Sequence, residues 1–171
     1  MRLFFALWPD AGVREMLARW AEACNASVRG RATRTENLHA TLAFLGEIAP
    51  QKLASLCTLG AEIQGSAFEL TFDRLEYWPH NRIVYAGCSQ APAALGVLAE
   101  DLRARLGDDG YAVDSRPYVA HVTLVRDARR APKGVLVEPV LWQVRDIALV
   151  ESAREDGTLV YRPIRRFTLS T

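Results

Sequence analysis

The chain has 171 residues and a mass of 19.0 kDa, with 50% hydrophobic and 24% charged residues, a composition that excludes disordered and fibrous classes and fits one ordinary folded domain, 1–171. Twenty-one Lys and Arg against twenty Asp and Glu leave a formal net charge of +1, so no global positive field draws the protein onto nucleic acid or an anionic membrane. Any RNA contact must therefore be local.

Arg2 to Leu7 reads as a short buried strand. Its apolar run is too short for a signal-peptide core, and no stretch of the chain approaches the roughly eighteen apolar residues of a membrane span. Asp10 then offers an N-cap for a helix whose apolar positions Val13, Met16, Leu17, Trp20 and Cys24 recur at three and four. Gly30 with Arg29, Arg31 and Arg34 makes a basic loop. Arginine suits bidentate phosphate contacts, although a GC-rich coding bias accounts more simply for a chain whose only lysines are Lys52 and Lys133.

Leu38 to Leu45 is a strand, and Pro50 opens a second helix with Leu53, Leu56, Cys57 and Ile63 on one face. Phe68 to Phe72 and Ile83 to Ala86 read as strands around a turn containing Pro79, His80 and Asn81. Pro92 opens a third helix with Leu95, Leu98, Leu102 and Leu106 inward, closed by the polar turn Gly107 to Gly110. Val119 to Val125, Val140 to Val150 and Leu159 to Leu169 complete the strands. With strands outnumbering helices about two to one and no regular alternation, the expected fold is α+β with mainly antiparallel sheet. The three cysteines, Cys24, Cys57 and Cys88, match neither a disulfide framework nor a C-x-x-C site, which points to a reducing cytoplasm.

One self-similarity stands out. Leu38-His39-Ala40-Thr41-Leu42-Ala43-Phe44 and Ala120-His121-Val122-Thr123-Leu124-Val125-Arg126 share His-x-Thr-Leu and lie 82 residues apart, close to half the chain. With only three histidines present, two such matches arise by chance on the order of once in ten thousand. A fused duplication of two similar lobes is the expected architecture.

In a strand the side chains at i and i+2 share a face, so His39 stands beside Thr41 and His121 beside Thr123. If a pseudo-twofold relates the lobes, both pairs face one cleft. Two imidazoles can then move protons at both ends of a displacement at phosphorus, and the hydroxyls can donate to non-bridging phosphate oxygens. The near-symmetric motifs give no physical reason to label either histidine acid or base.

A lone strand histidine is ordinarily structural, and Thr41 and Thr123 owe their significance to the histidines. His80 lacks the motif and reads as surface. Phe44 and Arg126 occupy matching places: Phe44 reads as core, while Arg126 can reach phosphate from its strand end, although strict alternation puts it on the face opposite His121. Tyr118, Trp78 and Phe5 are able to stack on a nucleobase, but burial is the simpler use of each.

The stretch Glu36-Asn37-Leu38-His39-Ala40-Thr41-Leu42-Ala43-Phe44-Leu45-Gly46-Glu47 and the later His121-Val122-Thr123-Leu124-Val125-Arg126 resemble the two H-x-T-x motifs of the two-histidine (2H) phosphoesterases. Within them the likeness is to the bacterial and archaeal RNA 2',3'-cyclic phosphodiesterases, also called 2'-5' RNA ligases. Arg2 to Pro9 and Gly157 to Tyr161 are similar to that family too, so the resemblance spans the chain. One departure is Ala120, where the family commonly has Pro.

The resemblance implies a bilobal α+β fold, two mainly antiparallel sheets flanking a central cleft with helices on the outside, and metal-independent opening of a 2',3'-cyclic phosphate at an RNA end to a 2'-phosphomonoester. It makes His39 the proton donor to the departing 3' oxygen, His121 the proton acceptor that activates water, and Thr41 and Thr123 the residues that hold the phosphate; Arg126 joins them only through its place at the strand end. Running the same transfers backwards would join a cyclic phosphate to a 5'-hydroxyl. No G-x-x-x-x-G-K-[ST] loop, K-x-D-G lysine or H-E-x-x-H helix is present, so no nucleotide cofactor or metal is expected. The expected partner is RNA with a cyclic phosphate end, bound by a cytoplasmic monomer with no membrane attachment. Two alternatives stand beside it: a phosphodiesterase for a small cyclic nucleotide, whether a mononucleotide or an ADP-ribose cyclic phosphate, and a non-catalytic RNA-binding module on the same fold.

Overall fold

The run Leu3 to Trp8 is apolar without alternation because both of its faces are covered. It forms β1 (Arg2–Leu7), which lies inside a four-stranded antiparallel sheet with β3 (Ala40–Glu47), β9 (Asp146–Glu155) and β10 (Thr158–Thr168) in the order β10-β9-β1-β3. Leu3, Phe5 and Leu7 enter the main core with Ile147 and Leu149, while Phe4, Ala6, Trp8, Ala148 and Val150 form a second apolar patch on the opposite face. The computed structural model describes all 171 residues.

A second four-stranded antiparallel sheet has the order β2-β7-β6-β5, from β2 (Arg31–Ala32), β7 (His121–Arg126), β6 (Ile83–Gly87) and β5 (Arg74–Trp78). A two-stranded ribbon pairs β4 (Phe68–Phe72) with β8 (Val140–Val144). The helices are α1 (Ala11–Val28), α2 (Leu53–Glu62) and α3 (Ala93–Asp108). The expected duplication is present as two similar units, β1-α1-β3, interrupted by the short β2, and β6-α3-β7, each ending at a strand that carries one His-x-Thr-Leu at its start. The helices exchange partners: α1 packs on β7 and β8, and α3 packs on β3. One continuous apolar core therefore joins the two units.

Local signals account for the helices. Asp10 accepts the Val13 N–H (2.9 Å) as N-cap, and α1 stops where Arg29 turns left-handed at φ 53°. Val13, Leu17, Trp20 and Cys24 are buried as the spacing predicts, but Met16 is left at the surface. Leu95, Leu98, Leu102 and Leu106 of α3 are buried. In α2, Leu56 and Leu59 are buried and Ile63 lies past the helix end. No helix is long and apolar enough to cross a membrane.

The strands depart from expectation where partners are distant. Phe68–Phe72 pairs with Val140–Val144 and not with Ile83–Gly87, whose partner is the unforeseen Arg74–Trp78. That segment does alternate from Arg74 to Tyr77, with Leu75 and Tyr77 packed against the core, but it is only five residues long and runs straight into the turn at Pro79. The single strand expected over Val140 to Val150 breaks at Arg145, because the chain leaves the ribbon there and enters the first sheet.

Gly30 admits the close approach of β2 to β7: a Cβ there would lie 2.4 Å from Val125 Cγ1 and 2.6 Å from the Arg126 carbonyl oxygen. Gly30→Ala is expected to cost about 1–3 kcal/mol, because a backbone carbonyl has to move to admit the methyl. Denaturant unfolding with an unchanged m-value checks this.

Candidate active site

A cleft of about 1670 Å³ opens between the two sheets, lined by His39 at the entry to β3, Thr41 in β3, and His121, Thr123 and Arg126 from β7. Both His-Thr pairs thus share one cavity, as period-two geometry requires. The strands do not alternate strictly beyond the threonines. Thr123 pairs with Tyr85 while Val125 pairs with Val84, so Leu124 is an extra residue in β7. Thr41 pairs with Ala6 while Ala43 pairs with Phe5, so Leu42 is an extra residue in β3. Each half carries a β-bulge at the leucine of its own motif.

The bulges correct two expectations. A bulge resets which face the next residue takes. Leu124 and Val125 are both fully buried, and Arg126 returns to the cleft beside His121 instead of facing away. Phe44, at the matching place in β3, is 52% exposed in the cleft and not in the core.

The two imidazoles are held alike. His39 Nδ1 lies 2.7 Å from the Asn37 carbonyl oxygen, and His121 Nδ1 lies 2.8 Å from that of Val119. A carbonyl can only accept, so Nδ1 carries the hydrogen in both rings and Nε2 is the atom free to exchange protons. Thr41 Oγ1 sits 3.0 Å from His39 Nε2, whereas His121 Nε2 has no protein partner. The matched geometry at His121 is reached with Ala120 before it, buried and in a trans peptide.

Their surroundings differ. His39 lies on the cleft-side apolar patch, stacked on Trp8 (5.7 Å, 19°), 4.9 Å from Phe4 and edge-on to Tyr161 at 5.0 Å. Burial there pushes its pKa down to about 4, with Arg126, His121 and Arg14 adding to the effect against the opposing Asn37 carbonyl. His121 meets Trp78 edge-on at 4.8 Å and Tyr85 at 5.8 Å, and burial lowers its pKa too, with Arg126 contributing. Both rings are therefore neutral in the empty cleft at neutral pH. Arg126 itself has no carboxylate partner, in contrast to Arg31, which is held by Asp127, and Arg34, which is held by Glu36.

Of the aromatic residues considered for stacking, Phe5 is fully buried in the main core, away from the cleft. Tyr118 and Trp78 are both half-buried in the cleft lining, Tyr118 with its hydroxyl buried and unpaired and Trp78 against His121. His80 is exposed, as expected, at the cleft rim. No three His, Cys, Asp or Glu side chains gather into a metal-binding group.

Asn37 escaped the reading of the sequence. It is the one buried polar residue. Its Nδ2 donates to the Leu159 carbonyl (2.9 Å) and its Oδ1 accepts the Tyr161 N–H (3.1 Å), so it pins the motif to β10 while its own carbonyl holds His39. The only hint in the sequence was its place two residues before the histidine.

A duplicated antiparallel fold with two inward His-x-Thr pairs defines the two-histidine phosphoesterase class. Residues 7–85 match the family model described as LigT-like phosphoesterase. The RNA 2',3'-cyclic phosphodiesterase of Escherichia coli is 35% identical over 99% of this chain and 97% of that protein, and its Thermus thermophilus counterpart is 31% identical over 99% and 90%. The crystal structure of Escherichia coli LigT complexed with 3'-AMP superposes with a TM-score of 0.86 at 34% identity, covering 99% of this chain and 98% of that one. The chain belongs to the LigT-like phosphoesterase family.

Two outcomes are expected of this site. The unfolded His39 imidazole takes its proton near pH 6.5 and the folded one near 4, so between these values the unfolded chain binds more protons. The His39 contribution to stability falls as pH drops from about 6.5 and is constant below about 4, with His121 acting in the same direction; the slope of melting temperature against pH between these values should flatten in His39→Gln. Asn37→Ala should cost roughly 2 kcal/mol in denaturant unfolding, because it strands the Leu159 carbonyl and the Tyr161 N–H.

Proposed function

We propose that this chain hydrolyses RNA 2',3'-cyclic phosphodiester ends to 2'-phosphomonoesters without a metal, with His39 as proton donor and His121 as proton acceptor. The observation that carries the reading is the pair of imidazoles in one cleft, each with Nδ1 tied to a backbone carbonyl and Nε2 left for proton transfer. The names of the relatives and the 3'-AMP complex of the Escherichia coli protein support the substrate class.

Neutral His121 takes a proton from water through Nε2 as the water oxygen bonds to phosphorus. The bond from phosphorus to the 3' oxygen breaks, and protonated His39 delivers its Nε2 proton to that oxygen. The product carries a 2'-phosphate and a 3'-hydroxyl, and exchange with solvent returns both rings to their starting charge. His39 is neutral in the empty cleft, so its proton must come with the substrate: the phosphate anion favours the imidazolium that burial disfavours. Thr41 and Thr123 donate to non-bridging oxygens, and Arg126, free of any carboxylate, neutralises charge on the phosphoryl group. The acid and base labels follow the family, and the reverse transfers give 2'-5' ligation. We place this activity in the whole chain, 1–171, acting as a monomer in the cytoplasm, where free Cys24, Cys57 and Cys88 stay reduced.

The test is phosphorus NMR of a short RNA with a 2',3'-cyclic end, incubated with the protein and excess EDTA. A 2'-phosphomonoester is expected, with turnover lowered about a thousandfold in folded His39→Ala and His121→Ala. A 3'-phosphate product, dependence on added metal, or full activity in either variant overturns the proposal.

A further inference from the structure

Arg14 is a cation in an unfavourable place. It stands in the first turn of α1, where the helix dipole disfavours positive charge. Its side chain is half-buried, its Nε is buried without a hydrogen-bond partner, and burial and the nearby Arg166 both work against its charge. Neither neighbouring carboxylate is paired with it: Asp10 caps α1 and Glu36 is held by Arg34. Its one hydrogen bond runs from Nη2 to the Pro9 carbonyl (2.8 Å) and leaves the guanidinium over the Trp8 ring, 5.3 Å from the centroid.

The same indole carries His39, stacked at 5.7 Å and 19°. Trp8 is buried, so little water screens the two groups that share it. An indole face attracts an imidazolium as it attracts a guanidinium. Here Arg14, charged at every working pH, already occupies that attraction, and it repels a second cation on the ring. The other groups facing His39 are Arg126 and His121 from β7 and Tyr161 from β10, none of them a carboxylate. Burial is the largest influence on the imidazole, and Arg126, His121 and Arg14 act in the same direction. Of the two arginines, Arg126 lines the cleft and Arg14 does not, so a bound phosphate answers the charge of Arg126 and leaves that of Arg14 in force.

We propose that Arg14 is a positioning residue for the reaction: through Trp8, its fixed charge keeps the His39 ring neutral until a phosphate enters the cleft. It touches no substrate. The imidazolium that forms on the phosphate then remains a ready proton donor, because Arg14 still disfavours it. The inference rests on the proposed role of His39 as proton donor to the 3' oxygen.

The experiment is an NMR titration of the His39 ring through the acid range in the wild type, Arg14→Gln and Arg14→Lys. Loss of the charge in Arg14→Gln is expected to raise the midpoint by roughly half to one pH unit, whereas Arg14→Lys, which keeps the charge, should recover most of the wild-type value. A residue that only held Trp8 in place would leave the midpoint unmoved in Arg14→Gln or move it alike in both variants, and either result overturns the proposal. In the proposed mechanism, kcat on an RNA with a cyclic end falls on the alkaline side as His39 loses its proton, so that limb should move up with the midpoint in Arg14→Gln. A midpoint that moves without the limb overturns His39 as proton donor and leaves the effect of Arg14 on the ring standing.

Discussion

A hydrogen bond from each histidine's Nδ1 to the carbonyl two residues earlier organises the site. It costs nothing in side chains, because the extended backbone before the strand presents that carbonyl to the ring, and it decides the tautomer: the hydrogen sits on Nδ1 and the lone pair on Nε2 faces the cleft. A neutral ring is the form burial prefers, and at His39 the surrounding Phe4, Trp8 and Tyr161 shield the half-buried ring from water. The aromatic setting thus poises the ring to gain its proton only when an anion arrives.

The duplication sets the geometry, and divergence between its halves sets the roles. Both motif strands carry a bulge at the leucine after the threonine, and in both the residue five places after the histidine comes back to the cleft. At that shared place one half offers an unpaired guanidinium and the other an exposed aromatic ring. The histidines differ in support as well. The Asn37 carbonyl that holds His39 is itself anchored on β10, whereas the Val119 carbonyl that holds His121 belongs to a residue 56% exposed. The side anchored by Asn37 is the one whose imidazole burial pushes down to about 4.

Much of this was open to reading from residue order alone. The α1 and α3 helices were marked by apolar spacing and, in α1, by its cap; β1 by an unbroken apolar run; the site by two copies of one short motif. What could not be read lay where local pattern is silent. Phe68–Phe72 has a partner some seventy residues away, which nothing in its own pattern names.

Residue order by itself determined that the protein is a duplicated antiparallel fold with two His-Thr pairs, each on one face of its strand, because the period of a strand is a property of the local backbone. Tertiary structure alone decided that Arg126 and Phe44 turn into the cleft, since a bulge exists only relative to the partner strand that skips a residue. It alone also decided that Asn37 supports His39, since both groups its side chain bonds, at Leu159 and Tyr161, lie more than 120 positions further along the chain and come near only when β10 completes the sheet.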